Sequence, residues 1–192
     1  MIDLTKIQQA AENLKGVSVH TPLVKNENLS EQFAAQVYLK REDLQPVRSY
    51  KLRGAYHRIS SLAENERKSG VVCASAGNHA QGVAFACRKL NIKAVIFMPI
   101  TTPAQKIKQV KLFGKENVEV VLKGDTFDDA YNEAVLFSKE NKAVFVHPFD
   151  DEWVMAGQGT VGLEIMEDTK NKIDFLFLSL IHISEPTRRR GI

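Results

Sequence analysis

Val71-Val72-Cys73-Ala74-Ser75-Ala76-Gly77-Asn78-His79-Ala80-Gln81-Gly82 runs from four apolar residues through a turn of small residues into a helical pattern that reaches Leu90. Val71 to Ala74 reads as a buried strand, and Ser75 to Asn78 as the turn that opens a helix over Ala80 to Leu90. A strand ending in such a turn at a helix start aims backbone N–H groups and the positive end of the helix dipole at one spot. That spot suits a carboxylate or a phosphate. The same turn also reads as a plain helix cap, with Ser75 or Asn78 satisfying the first free amides.

Outward from this unit, short apolar runs alternate with helical patterns. Strands are expected at Gln36 to Leu39, Gly70 to Ala74, Ala94 to Met98, Val118 to Leu122, Ala143 to Val146 and Asp174 to Phe177. Helices are expected near Gln8 to Leu14, Lys51 to Leu62, Ala80 to Leu90, Pro103 to Phe113, Phe127 to Glu140 and Thr160 to Asp168. Pro103 falls just inside a helix start and Gly114 just past its end, as helix punctuation requires. The alternation predicts a parallel α/β architecture.

Upstream lies Ser49-Tyr50-Lys51-Leu52-Arg53-Gly54-Ala55. A lysine forms an imine with an aldehyde only while its amine is neutral, which takes partial desolvation or cationic neighbours. Arg48 and Arg53 flank Lys51, Tyr50 and Leu52 offer apolar walls, and Gly54 would let backbone approach a flat ring. A solvated surface lysine beside an aromatic residue is the competing reading of the heptapeptide.

Taken together, the two stretches resemble the fold-type II pyridoxal phosphate enzymes, and within them the threonine dehydratase (threonine ammonia-lyase) family. The resemblance extends to His20-Thr21-Pro22-Leu23, Leu39-Lys40-Arg41-Glu42-Asp43-Leu44-Gln45-Pro46, His147-Pro148-Phe149-Asp150 and Ala156-Gly157-Gln158-Gly159-Thr160, in family order from about residue 5 to residue 177. It implies a tryptophan synthase β-like α/β fold. Residues 70–147 would form a complete small parallel domain, and residues 1–69 with 148–177 an incomplete large domain.

It also implies that Lys51 carries pyridoxal 5'-phosphate as an imine and later removes the α-proton. Asn78 would hydrogen-bond the ring hydroxyl, and Tyr50, where the family usually has phenylalanine, would wall the ring. Ser75, Ala76, Gly77, Asn78 and His79 would bind the substrate carboxylate. Threonine would yield 2-oxobutanoate and ammonia, in the context of isoleucine biosynthesis. Serine racemases of this family commonly carry a serine at the place of Ala76, and a methyl group cannot deliver a proton, so elimination is expected over racemisation. Serine dehydration or racemisation is the alternative within the fold. A non-catalytic binding module, in which Lys51 is dispensable, and an inactive fragment are the alternatives outside it.

Residues 178–188, Leu-Ser-Leu-Ile-His-Ile-Ser-Glu-Pro-Thr-Arg, are similar to one reading frame of the transposase adapter used in sequencing libraries. Residues 178–192 are therefore expected to be non-native; an ordinary strand with a basic terminus is the alternative. No glycine-rich run follows Phe177, so the family's phosphate anchor is expected to be missing and the chain to be inactive. A full-length form would be a homo-oligomer.

Composition accords with this reading. The chain has 192 residues, 44% hydrophobic and 26% charged, enough for one domain or one and a part. Its formal charge is +3, most of it from Arg188, Arg189 and Arg190, which leaves no argument for nucleic acid. Cys73 and Cys87 sit in apolar stretches with no Cys-x-x-Cys and are expected to be reduced, buried thiols in a cytoplasmic protein. No metal site is expected, and no run approaches the length of a membrane span.

Two further patterns carry less. Gly157-Gln158-Gly159-Thr160-Val161-Gly162 satisfies G-x-G-x-x-G, but the preceding Asp150-Asp151-Glu152-Trp153 is not a buried strand, so close helix packing is the better use of these glycines. Glu42 and Asp43 could be an acid/base pair, though solvated charges or an ion pair with Lys40 or Arg41 is preferred. His79 either orients the carboxylate loop or caps its own turn.

Overall fold

A computed structural model describes residues 2–170 and 172–178. In chain order the elements are α1 (Leu4–Asn13), β1 (Leu23–Lys25), α2 (Glu27–Gln32), β2 (Tyr38–Lys40), α3 (Lys51–Ser60), α4 (Glu64–Ser69), β3 (Val71–Ala74), α5 (Asn78–Leu90), β4 (Ala94–Met98), α6 (Ala104–Gly114), β5 (Val118–Leu122), α7 (Phe127–Asn141), β6 (Val144–Phe145) and α8 (Glu152–Asp168).

The apolar run at β3 is buried at all four positions, as a central parallel strand covered on both faces must be. Strands β3 to β6 form one parallel sheet in the order β5-β4-β3-β6. Alternate residues serve alternate faces. Val71, Cys73, Ala94, Ile96 and Met98 pack with Ala80, Val83, Ala84 and Cys87 of α5 and Val110 of α6, whereas Val72, Ala74 and Phe97 pack with Ala130 and Ala134 of α7. The chain therefore winds outward from β3 through β4 to β5 with helices on one face, then returns to the other side of β3 with a helix on the opposite face. Strand order reverses between β3 and β6, which opens a crevice at their carboxyl ends.

Outside α5 lies α3, and outside α3 lies α8. Both contacts are backbone to backbone. A Cβ at Gly82 of α5 would stand 2.9 Å from the carbonyl oxygen of Lys51, and one at Gly157 of α8 would stand 2.6 Å from that of Arg53. The glycines of the G-x-G-x-x-G run thus permit close helix packing, and Gly54 itself faces Val154 of α8 rather than a ring. Leu52 turns into a separate cluster with Leu14, Val17 and Val47, so it does not wall the Lys51 amine.

Several other expectations shift. α8 begins two turns before Thr160, because Asp151 caps it by accepting from the backbone N–H groups of Trp153 and Val154, and its glycines sit inside the helix. Pro103 is the cap residue of α6 rather than its first helical residue, and Gly114 is the last helical residue. Asp174 to Phe177 is not a strand: no described strand lies beside it, and Phe175 and Phe177 are 83% and 95% exposed. The small antiparallel ribbon of β1 and β2 joins Leu23 to Lys40; β1, α2 and α4 are too short to show a period in sequence. Residues 179–192, most of the segment expected to be non-native, lie outside the described residues. Among the described residues no helix is long and apolar enough to cross a membrane.

The α3–α8 crossing makes a direct prediction. Gly157→Ala should destabilise the chain by about 1–3 kcal/mol, since backbone cannot yield as a side chain can. Gly159→Ala, whose added Cβ meets only the flexible Ile7 side chain at 3.0 Å, should cost less. Urea unfolding midpoints of the two variants check this; equal midpoints would contradict it.

Candidate active site

Lys51 is the first residue of α3 and Asn78 the first of α5. The contact of Gly82 with the Lys51 carbonyl, one turn into α5, brings these two helix starts together. The third wall is the turn between β6 and α8. Lys51 Nζ donates to the carbonyl oxygen of Pro148 at 2.9 Å, and His79 Nε2 donates to that of Val146 at 3.0 Å. Lysine, small-residue turn and post-β6 turn thus converge at the crevice where strand order reverses.

The lysine is 7% exposed, and burial lowers its pKa to about 8. The cause is desolvation, not the cationic neighbours expected from sequence. Arg48 is exposed, and Arg53 turns away from the site. Tyr50 does lie beside the amine, with its ring centroid 5.5 Å from Nζ. Lys51 Nζ makes no ion pair with a carboxylate among the described residues. An amine so placed is available as a neutral nucleophile near neutral pH.

Ser75, Ala76, Gly77 and Asn78 are half-buried, and His79 is buried. Gly77 is the cap residue of α5 and has no side-chain cap, so neither Ser75 nor Asn78 plays that part. Ser75 Oγ instead accepts from the Gly77 N–H within the turn. The first amides of α5 therefore face the crevice without a side-chain cap, as an anion-binding helix start would. His79 does not cap its own turn. Burial holds its pKa down to about 3, with its bond to Val146 opposing that shift and the Lys51 charge adding to it. A neutral ring donating through Nε2 leaves Nδ1 buried without a partner.

Sequence reasoning missed the post-β6 turn as part of the site, although His147-Pro148-Phe149-Asp150 had stood out as a motif. His147 Nδ1 accepts from the backbone N–H groups of Phe149 and Asp150 at 3.3 and 2.7 Å. Its ring meets Phe149 edge to face at 4.6 Å and borders Tyr131 and Phe145. Burial depresses its pKa, against the pull of Asp150 and Asp151. The signal available was the Pro after His, which removes one N–H and leaves the next two free to seek an acceptor.

Arg53, expected beside the lysine, is 1% exposed and holds Glu42 and Glu164 at 2.6 to 3.0 Å, with Thr160 Oγ1 and the Val19 carbonyl completing its donors. Lys40 extends the network to Glu164 and Asp168. Glu42 therefore pairs with Arg53 rather than with Lys40 or Arg41, while Arg41 takes Asp43 through two bonds. Neither carboxylate faces Lys51. Two open depressions of about 560 and 450 Å³ border α2 and the β1–β2 ribbon, away from the crevice. Among the described residues no group of three or more His, Cys, Asp or Glu could hold a metal ion.

Residues 16–181 match the family described as pyridoxal-phosphate dependent enzymes. The chain belongs to that family. Among its relatives, the biosynthetic L-threonine dehydratase IlvA of Halalkalibacterium halodurans is 59% identical over 93% of this chain and 43% of its own length. The protein of the same name from Bacillus subtilis is 53% identical over 94% of this chain. The chain thus spans less than half the length of these curated relatives.

Solved structures agree in fold. The processed form of threonine deaminase isoform 2 from Solanum lycopersicum is 43% identical, with a TM-score of 0.78, over 86% of this chain and 46% of that one. Maize serine racemase, 28% identical, superposes with a TM-score of 0.82 over 88% of this chain and 50% of that one. Proteins named for different activities therefore share this backbone, and side chains must separate them.

The buried amine predicts an inverted pH dependence of stability. With a folded pKa near 8 and an ordinary value of 10.5, the unfolded chain binds the extra proton between those values. Stability should therefore rise with pH through that window and carry its full penalty below pH 8. Lys51→Met should be more stable than the parent at pH 7 by about 1–3 kcal/mol, with the difference shrinking as pH climbs towards 10.5. Urea titrations at several pH values test this.

Proposed function

We propose that Lys51 is the cofactor-bearing lysine of a pyridoxal phosphate-dependent ammonia-lyase that converts L-threonine to 2-oxobutanoate and ammonia. The observation that carries this reading is the buried Lys51 amine, held by a carbonyl and unpaired with any described carboxylate, at the crevice between β3 and β6. A lysine kept only for structure would be paired, as Arg53 is two residues on. The names of the relatives at 50–59% identity support threonine as the substrate. Isoleucine biosynthesis in the cytoplasm, by a homo-oligomer of the longer protein, is the setting that accompanies the reading.

The residues present fit the cofactor. Lys51 would hold it covalently, Asn78 would donate to its ring hydroxyl, and Tyr50 would border the ring. When bound, pyridoxal phosphate supplies an electron sink for the pair left at the substrate Cα. Lys51 Nζ, whose burial lowers its pKa to about 8 and so leaves a neutral fraction at neutral pH, would take the α-proton. The turn Ser75-Ala76-Gly77-Asn78-His79 binds the substrate carboxylate through backbone N–H groups at the start of α5, with the neutral His79 ring pinning it to Val146. The β-hydroxyl would leave as water once protonated, and water would hydrolyse the imine tautomer of the released aminocrotonate to 2-oxobutanoate and ammonia. If Ala76 takes the place that the resemblance gives it, across the substrate from Lys51, its methyl group would have no proton to deliver, which favours elimination over racemisation. Residues 70–147 would be the small domain, and residues 1–69 with 148–177 part of a large one.

Borohydride reduction in the presence of pyridoxal phosphate should leave the pyridoxyl group on Lys51 in peptide maps and on no lysine of Lys51→Ala. Equal labelling of exposed lysines would sink the assignment. Turnover is tested in a chimera that continues, after residue 177, with the corresponding part of the Halalkalibacterium relative. The chimera should deaminate L-threonine, and Ala76→Ser should add D-enantiomer formation from L-serine while lowering the share of elimination.

A further inference from the structure

The Lys51 amine donates to a single described acceptor, the carbonyl of Pro148. That carbonyl belongs to the peptide joining Pro148 to Phe149, and in a trans peptide C=O and N–H point in opposite directions. The Phe149 N–H on the far side goes to His147 Nδ1, as does the next N–H, that of Asp150. Pro148 has no N–H of its own to compete for this acceptor. One ring nitrogen therefore fixes the plane of the peptide whose oxygen faces the lysine.

The ring is itself held. Phe149 meets it edge to face, Tyr131 of α7 meets it at 81°, and Phe145 of β6 lies 6.2 Å away. Since Nδ1 accepts two N–H groups, its proton is on Nε2 and the ring is neutral, in keeping with its lowered pKa. The titratable groups facing Lys51 are His147 from this turn, His79 from α5 and Tyr50 from the residue before α3. None of them is an anion that could hold the amine in place of the carbonyl.

We propose that His147 is a positioning residue for Lys51: its Nδ1 locks the Pro148–Phe149 peptide so that the Pro148 carbonyl keeps the lysine amine inside the crevice. The inference deepens the assignment of Lys51 above, but its test needs no cofactor. Asparagine at position 147 carries an acceptor oxygen close to the place of Nδ1 and makes the same turn with the N–H groups two and three residues on. Glutamine carries its amide one bond farther out, and alanine carries none.

The measurement is trace acetylation with acetic anhydride from neutral to alkaline pH, read at Lys51 by peptide mass spectrometry with exposed Lys89 as internal reference. Wild type should show its Lys51 midpoint near 8. His147→Ala and His147→Gln should raise that midpoint by about one pH unit or more, towards the ordinary lysine range, because the freed amine swings into water. His147→Asn should stay within a few tenths of wild type. Protection of Cys73 and Cys87 from a thiol reagent reports whether each variant is folded.

A folded His147→Ala with an unchanged midpoint overturns the proposal, as does an asparagine variant that behaves like glutamine, whether both shift, both hold or both unfold. If alanine alone unfolds, a wild-type midpoint in the asparagine variant beside a raised one in glutamine still supports it. Failure of borohydride labelling at Lys51 would remove the cofactor assignment and leave this result standing, so the two readings fail separately.

Discussion

Helix α3 is held between two other helices with no side chain to spare at either crossing. On one side the Lys51 carbonyl rests against Gly82 of α5, and on the other the Arg53 carbonyl rests against Gly157 of α8. Contacts of this kind fix the helix axis to within the tolerance of van der Waals radii, because backbone atoms have no rotamers to relax into. The consequence is positional. The first turn of α3 is placed against the first turn of α5, and the lysine that starts the one is brought to the turn that starts the other.

The sheet supplies the third reference point. Its strands leave β3 in both directions, so the loops after β3 and β6 diverge and leave a gap between them at the carboxyl edge of the sheet. Two side chains cross the gap, Lys51 to Pro148 and His79 to Val146. Each ends on a carbonyl of the same short turn. The site is therefore a joint between α3, α5 and the post-β6 segment, and any shift of one is felt by the other two.

The alternation of apolar runs and helical patterns made the parallel sheet legible, and the strands at Ala94–Met98 and Val118–Leu122 appear with the bounds read from sequence. Local pattern carries such elements because each strand buries its own residues. It failed where partners decide: Asp174 to Phe177 has the composition of a strand and no described neighbour to pair with, and α8 starts two turns before Thr160, although its glycines serve the close packing read for them. Of the residues that meet at the crevice, Lys51 and the Ser75–His79 turn stand out in the sequence by residue type and spacing. The direction of Arg53 and the carbonyls of Val146 and Pro148 do not, since nothing in a sequence says which way a peptide plane or a guanidinium will face.

Lys51 and Arg53 differ in what meets them. Both lie on the first turn of α3 and both are buried. Arg53 is met by two carboxylates in fork geometry, so its desolvation is offset and removing it would strand Glu42 and Glu164. Lys51 is met by one neutral carbonyl, so burial acts on it uncompensated and holds its amine close to deprotonation at physiological pH. A fold that pairs one cation fully and leaves its neighbour two residues away without a counter-ion has not simply failed to find a partner. On the role proposed for Lys51, it keeps carboxylates out of reach of an amine that has to be neutral to react, with the loss of stability that follows.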